Sequence, residues 1–171
     1  MRKHAFLSTV TGALALSIAA TIGLTPSASA DAAPERRTAE QTRALLAAFE
    51  RKDLKAISAR IDEKATFTIP LSFSGGPEPA DHFVGKKQIL GYVTNVLTNF
   101  QKIRFTDMRI SVTEHGNTSF VQANGDFTTA DNRSYRNVYV YRFDWKNGRM
   151  VHTDEYANPV TLCNTFTNLA C

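Results

Sequence analysis

The spacing of apolar and polar residues changes period once along this chain, from helical to alternating, and the change divides it into a helical half and a sheet half. Thr38-Ala39-Glu40-Gln41 has the form of a capping box, and Leu45, Leu46 and Phe49 follow at helical spacing, which predicts a first helix of about four turns. Asp53 is placed to cap a second, shorter helix with Leu54, Ile57 and Ile61 as one apolar stripe. Ala65 to Pro70 alternates as a short strand that stops at the proline. Ile89, Leu90, Val93, Leu97 and Phe100 mark the buried face of a third helix opening near Lys86. From there the period is two: Ile103 to Thr113, Thr118 to Thr128, Tyr135 to Trp145 and Arg149 to Tyr156 read as strands. Their turns fall at His115-Gly116-Asn117, Asp131-Asn132 and Lys146-Asn147-Gly148. Three helices followed by an antiparallel meander predict an α+β domain over residues 38–162.

The last hairpin carries the clearest pattern. Asn137, Tyr139, Tyr141 and Phe143 alternate with Arg136, Val138, Val140 and Arg142, giving one aromatic face and one mixed, charged face. Asn147-Gly148 suits either a two-residue loop or a three-residue loop with Gly148 left-handed in a bulge. The three-residue register sets Tyr139 opposite Glu155 and puts the acid on the aromatic face; the two-residue register turns it to the side of Val140 and Arg142. Segregation of charge favours the first, because it gathers Arg136, Arg142, Asp144, His152 and Asp154 on one wettable face and leaves Glu155 alone on the other.

Between the first strand and the third helix, Leu71 to Gly85 reads as a long irregular loop containing Gly75-Gly76, Pro77 and Pro79. A loop of that length inside a compact domain commonly covers or lines something. Phe73, His82 and Phe83 are its candidates for a pocket mouth; a plain solvated linker is the other reading.

The ends carry separate signals. Arg2 and Lys3, the apolar run from Ala5 to Leu24 and Ala28-Ser29-Ala30 form a secretory signal with cleavage expected after Ala30. Ser, Thr and Gly within the run, Pro26 just after it and the Ala-x-Ala site speak against a retained membrane anchor, so the mature protein is expected to be secreted or periplasmic. Residues 31–37 are polar and are expected to lead, disordered, into the domain. Cleavage lowers the net charge from +4 to +2, because 18 Lys and Arg then face 16 Asp and Glu. No basic run is interleaved with aromatics, which argues against nucleic acid as a partner. Cys163 and Cys171, close together at the end of an exported chain, read as a disulfide that pins the tail over residues 163–171.

No pair of histidines has zinc-ligand spacing, and no serine sits in a nucleophile elbow, so neither a metal nor a triad is expected. The remaining candidate is Glu155. A lone carboxylate among Tyr139, Tyr141, Phe143 and Phe67 would be desolvated and its pKa raised, which suits a general acid or base near neutral pH; a carboxyl hydrogen-bonded to Tyr139 or to a helix-end amide is the structural alternative. Tyr92 projects from the third helix, either as core packing or toward a ligand.

The order of elements, together with Leu45-Leu46-Ala-Ala-Phe49 and Asp53-Leu54, Gly85-Lys86 with Ile89, Tyr135-Arg-Asn137, Asn147-Gly148-Arg149 and Asp154-Glu155-Tyr156-Ala157-Asn158-Pro159, resembles the nuclear transport factor 2 (NTF2)-like superfamily. Within it the chain is most similar to SnoaL-like proteins of the PhzA/PhzB type. The resemblance covers nearly all of Thr38 to Leu162. It implies a cone, with a curved, largely antiparallel sheet wrapped around the long helix, and a mostly apolar cavity that works without a cofactor. It also implies that Glu155 faces that cavity and that Asn137 orients a ligand or its developing oxyanion. Gln122 stands where such relatives often carry a further carboxylate, and export departs from their usual setting. The general-base Asp, Tyr and protonated Asp of ketosteroid isomerases cannot be placed here. Two functions remain: a cofactor-free isomerase, cyclase or lyase acting on a small apolar, carbonyl-bearing molecule, and a non-catalytic binding or dimerising module, with a homodimer through the open sheet in either case.

Overall fold

The computed structural model describes residues 32–166 and Cys171; the targeting segment, residues 1–30, lies outside them. The helices are α1 (Ala32–Glu50), α2 (Leu54–Ala59), α3 (Lys86–Asn99) and α4 (Pro159–Thr165), and the strands are β1 (Ile61–Ile69), β2 (Asp81–Val84), β3 (Phe100–Lys102), β4 (Phe105–Val112), β5 (Thr118–Thr129), β6 (Ser134–Lys146) and β7 (Arg149–Ala157). The sheet runs β2-β1-β7-β6-β5-β3, with β4 also paired to β5. Every pairing is antiparallel except β1 with β7, so the sheet is mixed, and it curves without closing.

The capping box does not open the first helix. Helix α1 begins at Ala32, so residues 32–37 belong to the domain and do not form a disordered leader. Thr38 lies mid-helix and buried, its hydroxyl donating to the carbonyl of Gly116 in the β4–β5 turn. Gly116 has φ 64°, and a Cβ there would come within 2.6 Å of Pro34, so the turn fits closely against the start of the helix. The second helix starts as expected, with the Asp53 carboxylate accepting from the Ala56 amide at 2.9 Å. Ile61 of the expected stripe lies in β1 instead, and Leu54 is exposed.

Leu71 to Gly85 is not loop throughout. Asp81–Val84 pairs antiparallel with β1, Phe67 opposite Phe83 and Ile69 opposite Asp81, which supplies an edge strand and leaves 71–80 irregular. The expected tail also contains structure: Asn158 caps α4, accepting from Val160 N at 3.0 Å with Pro159 in the first turn. Cys163 in α4 and Cys171 stand at disulfide distance, with their Cα atoms 6.1 Å apart.

Bulges shape the sheet. Asn147 (φ 51°) and Gly148 (φ 78°) are both left-handed, which makes the β6–β7 turn a two-residue type I′ loop with Lys146 opposite Arg149. Trp145 then pairs with Met150 but Asp144 with His152, so Val151 is an inserted residue. A similar shift near Asp107 (φ 53°) interrupts the β4–β5 ladder. One inserted residue reverses which side chains face inward. Glu155 therefore comes opposite Tyr141, two places from its expected partner Tyr139, and lands on the aromatic face after all.

The core lies between the concave face and the helices, with Leu45 and Leu46 from α1, Ile89 and Val93 from α3, and Val121 from β5 fully enclosed. A buried polar cluster joins α1 to the sheet: Thr42 donates to the Thr38 carbonyl, its hydroxyl meets Ser119 Oγ at 2.7 Å, and Trp145 Nε1 donates to the same Ser119 oxygen.

Candidate active site: a lone acid in an aromatic cone

Along β6 every odd residue from Tyr135 to Trp145 is buried, and the aromatic rings stack in sequence: Tyr139 on Tyr141 at 5.5 Å, Tyr141 on Phe143 at 5.5 Å. On β5 the inward residue facing this ladder is Gly125, where a Cβ would stand 2.6 Å from the Tyr139 ring; glycine makes room for the aromatic. Phe67 of β1, Phe83 of β2 and Tyr92 of α3 form a second aromatic cluster, with Phe83 and Tyr92 stacked at 4.9 Å. Between these walls is a cavity of about 300 Å³. Since an apolar cavity of roughly 150 Å³ holds benzene, this one suits a molecule of about two fused rings.

Glu155 is the acid deepest in this cavity. Its Oε2 accepts a hydrogen bond from the Tyr92 hydroxyl at 3.2 Å; Oε1 makes none among the described residues and is not closed off from the cavity space. Burial among aromatics raises its pKa from 4.5 to about 7, a rise that the Tyr92 hydrogen bond only partly offsets. The same burial, with the nearby carboxylate, holds the Tyr92, Tyr139 and Tyr141 hydroxyls well above the ordinary tyrosine range. They remain protonated donors wherever Glu155 titrates. The arrangement can therefore hold or release one proton near neutral pH and offer neutral O–H groups to an oxygen.

Phe67, Phe73, Tyr92, Tyr139, Tyr141 and Glu155, all expected at the site, line this cavity. Three other expectations are corrected. His82 is exposed on edge strand β2, its Nδ1 paired with the Thr68 hydroxyl at 2.9 Å; as an alternate residue of β2 it faces away from the cavity. Gln122 is on the exposed face of β5, where odd residues point inward and even ones outward. Asn137 is inward and buried, but its amide is fully committed: Nδ2 donates to Tyr135 Oη at 2.7 Å and to the Asn158 carbonyl at 3.1 Å, and Oδ1 accepts from the amides of Val138 and Asn158. It fixes the end of β7 and the start of α4, and borders an open polar depression shared with Asp126 and Arg136 rather than the cavity.

Sequence reasoning missed Asp81, Asn95, Asn99, Leu162 and Phe166, which also line the cavity. Asn95 and Asn99 follow Tyr92 by three and seven residues, a helical spacing that could have found them. Phe166 was hidden by reading the C-terminal segment as tail, although Asn158-Pro159 is a helix start; its ring packs on Phe100 and Tyr135.

A helix-filled cone with a curved, unclosed mixed sheet is the NTF2-like architecture. Residues 42–153 match the SnoaL-like domain, and the chain belongs to that family. The uncharacterized protein YesE of Bacillus subtilis (strain 168) is 24% identical over 131 residues, which is 76% of this chain and 87% of YesE. Among solved structures, a candidate isomerase from Bacillus subtilis superposes with TM-score 0.69 at 23% identity, covering 80% of this chain and 96% of that one. A candidate polyketide cyclase from Xanthomonas campestris gives 0.63 at 14% identity, over 80% and 99% of the two chains. A phenazine biosynthesis-related protein from Pseudomonas aeruginosa gives 0.62 at 14%, over 81% and 90%. At these identities the superpositions establish the fold.

Proposed function

We propose that this is an exported SnoaL-like protein whose cone binds a small, largely apolar, carbonyl-bearing molecule, and that Glu155 moves a proton to or from it in a cofactor-free isomerase, cyclase or lyase reaction. The observation that carries the reading is the position of Glu155, the inner of two acids in an aromatic cavity, with a pKa near 7 and one oxygen unengaged. In its ionised form Oε1 takes a proton from the carbon beside the carbonyl, while Tyr92 fixes Oε2. The charge that develops on the carbonyl oxygen is met by a tyrosine hydroxyl, and Tyr141, directly across the ladder from Glu155, is the best placed. The proton then returns at another atom of the same molecule. Similarity to proteins named as candidate isomerases and polyketide cyclases agrees with this chemistry.

The test is α-proton exchange of small cyclic ketones in D2O, followed by NMR. The expected result is catalysed exchange with a pH limb near 7, slowed about a hundredfold or more by Glu155→Gln. Exchange indifferent to Glu155→Gln removes the proton-transfer role. The binding-module reading is favoured by one specific observation, that the Asn137 amide expected to hold an oxyanion is already spent on the backbone; ligand binding without exchange would select it. The signal segment supports export, with a mature chain beginning at Asp31 as the expected mass. The exposed Phe120, Val138, Val140 and Tyr156 on the outer face of the sheet support a homodimer.

A further inference from the structure

The cavity contains acids and no bases. Among the described residues that line it, Glu155 and Asp81 are carboxylates, and none is Lys, Arg or His. Strand pairing places the two acids on one row across the sheet. Glu155 lies opposite Tyr141; the parallel register of Thr68 with Asp154 brings the next residue, Ile69, beside Glu155; and Ile69 pairs with Asp81. Glu155 is partly buried, while Asp81 is exposed at the rim.

The titratable groups facing Glu155 come from every surrounding element: Tyr92 from α3, Tyr135, Tyr139 and Tyr141 from β6, and Asp81 from β2. All are neutral donors or acids. The basic groups of the same strands stand elsewhere: Arg136 is paired with Asp126, Arg142 with Asp144 and Asp154, and His152 with Asp154, while Lys146 and Arg149 are exposed at the β6–β7 turn and His82 meets the Thr68 hydroxyl. Arg133, whose guanidinium lies 5.9 Å from the Phe166 ring, is paired with Asp131.

Resting on the reading of this cavity as a ligand site, we propose that its ligand carries an amine and binds as the ammonium, with the charge at Glu155 and the apolar frame against the aromatic rings. A carboxylate in an apolar cavity without a counter-charge either holds a proton or acquires a cation, and the described residues provide none. A ligand carboxylate or phosphate would add like charge to like, whereas an ammonium is also attracted to the faces of Tyr and Phe rings. Asp81 at the rim draws cations toward the mouth. The step balances simply: the ammonium enters, Glu155 gives its proton to solvent, and an ion pair with the Glu155 carboxylate remains.

The experiment is titration calorimetry of the mature protein with 2-aminoindane, 2-indanol, 2-indanone and indane-2-carboxylate, one frame with four head groups. At pH 8 the amine is expected to bind at least about tenfold more tightly than the alcohol or ketone, and the carboxylate more weakly than either. With Glu155 titrating near 7, amine affinity is expected to fall about tenfold per pH unit below that point, with release of one proton. Glu155→Gln, checked for fold by circular dichroism, should remove the advantage of the amine while the alcohol still binds. Asp81→Asn should slow amine association severalfold and only at low salt. An alcohol or ketone binding as tightly as the amine overturns the amine assignment and leaves the proton-transfer reading standing. Preferential binding of the carboxylate overturns the charge argument, and absence of binding by all four overturns both readings.

Discussion

The two faces of strand β6 are built from one sequence and treat charge in opposite ways. On the outer face Arg142 bridges Asp144 and Asp154, His152 joins Asp154, and Thr66 meets His152 Nδ1 at 2.7 Å, a network of shared charges in contact with water. There Asp126, bonded to Lys102 and facing Arg136, is held below the usual carboxylate range. On the inner face Glu155 has no cation among the described residues, and burial pushes it up to about 7. Identical functional groups thus have fixed charge where partners are supplied and an adjustable one where they are withheld. The outer network fixes sheet geometry, and the inner acid is available for chemistry.

The comparison can be broken from either side. Asn137→Ala should be the costliest change considered, roughly 3 kcal/mol in denaturant unfolding, because it removes one buried and three part-buried hydrogen bonds at once; a loss below about 1 kcal/mol would mean that β7 is held by other contacts. Glu155→Gln acts with a sign that depends on pH. The folded protein holds the Glu155 proton more tightly than the unfolded chain, so this contribution is complete below pH 4.5 and is lost as pH rises through about 7. At about 1.4 kcal/mol per pKa unit the loss is of order 3 kcal/mol, and Glu155→Gln should flatten that decline and be the more stable protein at pH 8. Thermal melts across this range measure it directly. Gly125→Ala should cost about 1–3 kcal/mol by driving a methyl into the Tyr139 ring, and should narrow the cavity so that ligand affinity falls more than stability does. Arg142→Ala, on the solvated face, should cost less than about 1 kcal/mol and leave the Glu155 titration where it was. A shift there would couple the two faces.

How far the sequence disclosed this arrangement depended on which interactions were local. The period-two pattern of β6 depends only on neighbours in the chain, and it identified the inward aromatic ladder correctly. Glu155 lies on the face that charge segregation favours, but by way of the other turn: the loop has two residues, and the insertion of Val151, which neither register contains, restores the parity that such a loop would reverse. A bulge is a compromise between the turn and the sheet beyond it, so it has no local signature in Arg149-Met150-Val151-His152. The type and position of Asn137 suit a ligand group; its saturation by Asn158 is a contact across 21 residues. Thr38 illustrates the same limit, since its capping motif yielded to a tertiary hydrogen bond with Gly116. Helix α4 is legible in Asn158-Pro159, a local cap and first-turn proline.

The most direct test of the difference between the two faces is a carboxyl NMR titration of the mature protein, with Glu155→Gln to assign the signal. A midpoint near 7, well separated from that of Asp126, which is held below the usual carboxylate range, is the expected result. A midpoint close to the ordinary glutamate value of about 4.3 would place Glu155 in water and contradict the account of the cone as a dry, proton-handling cavity.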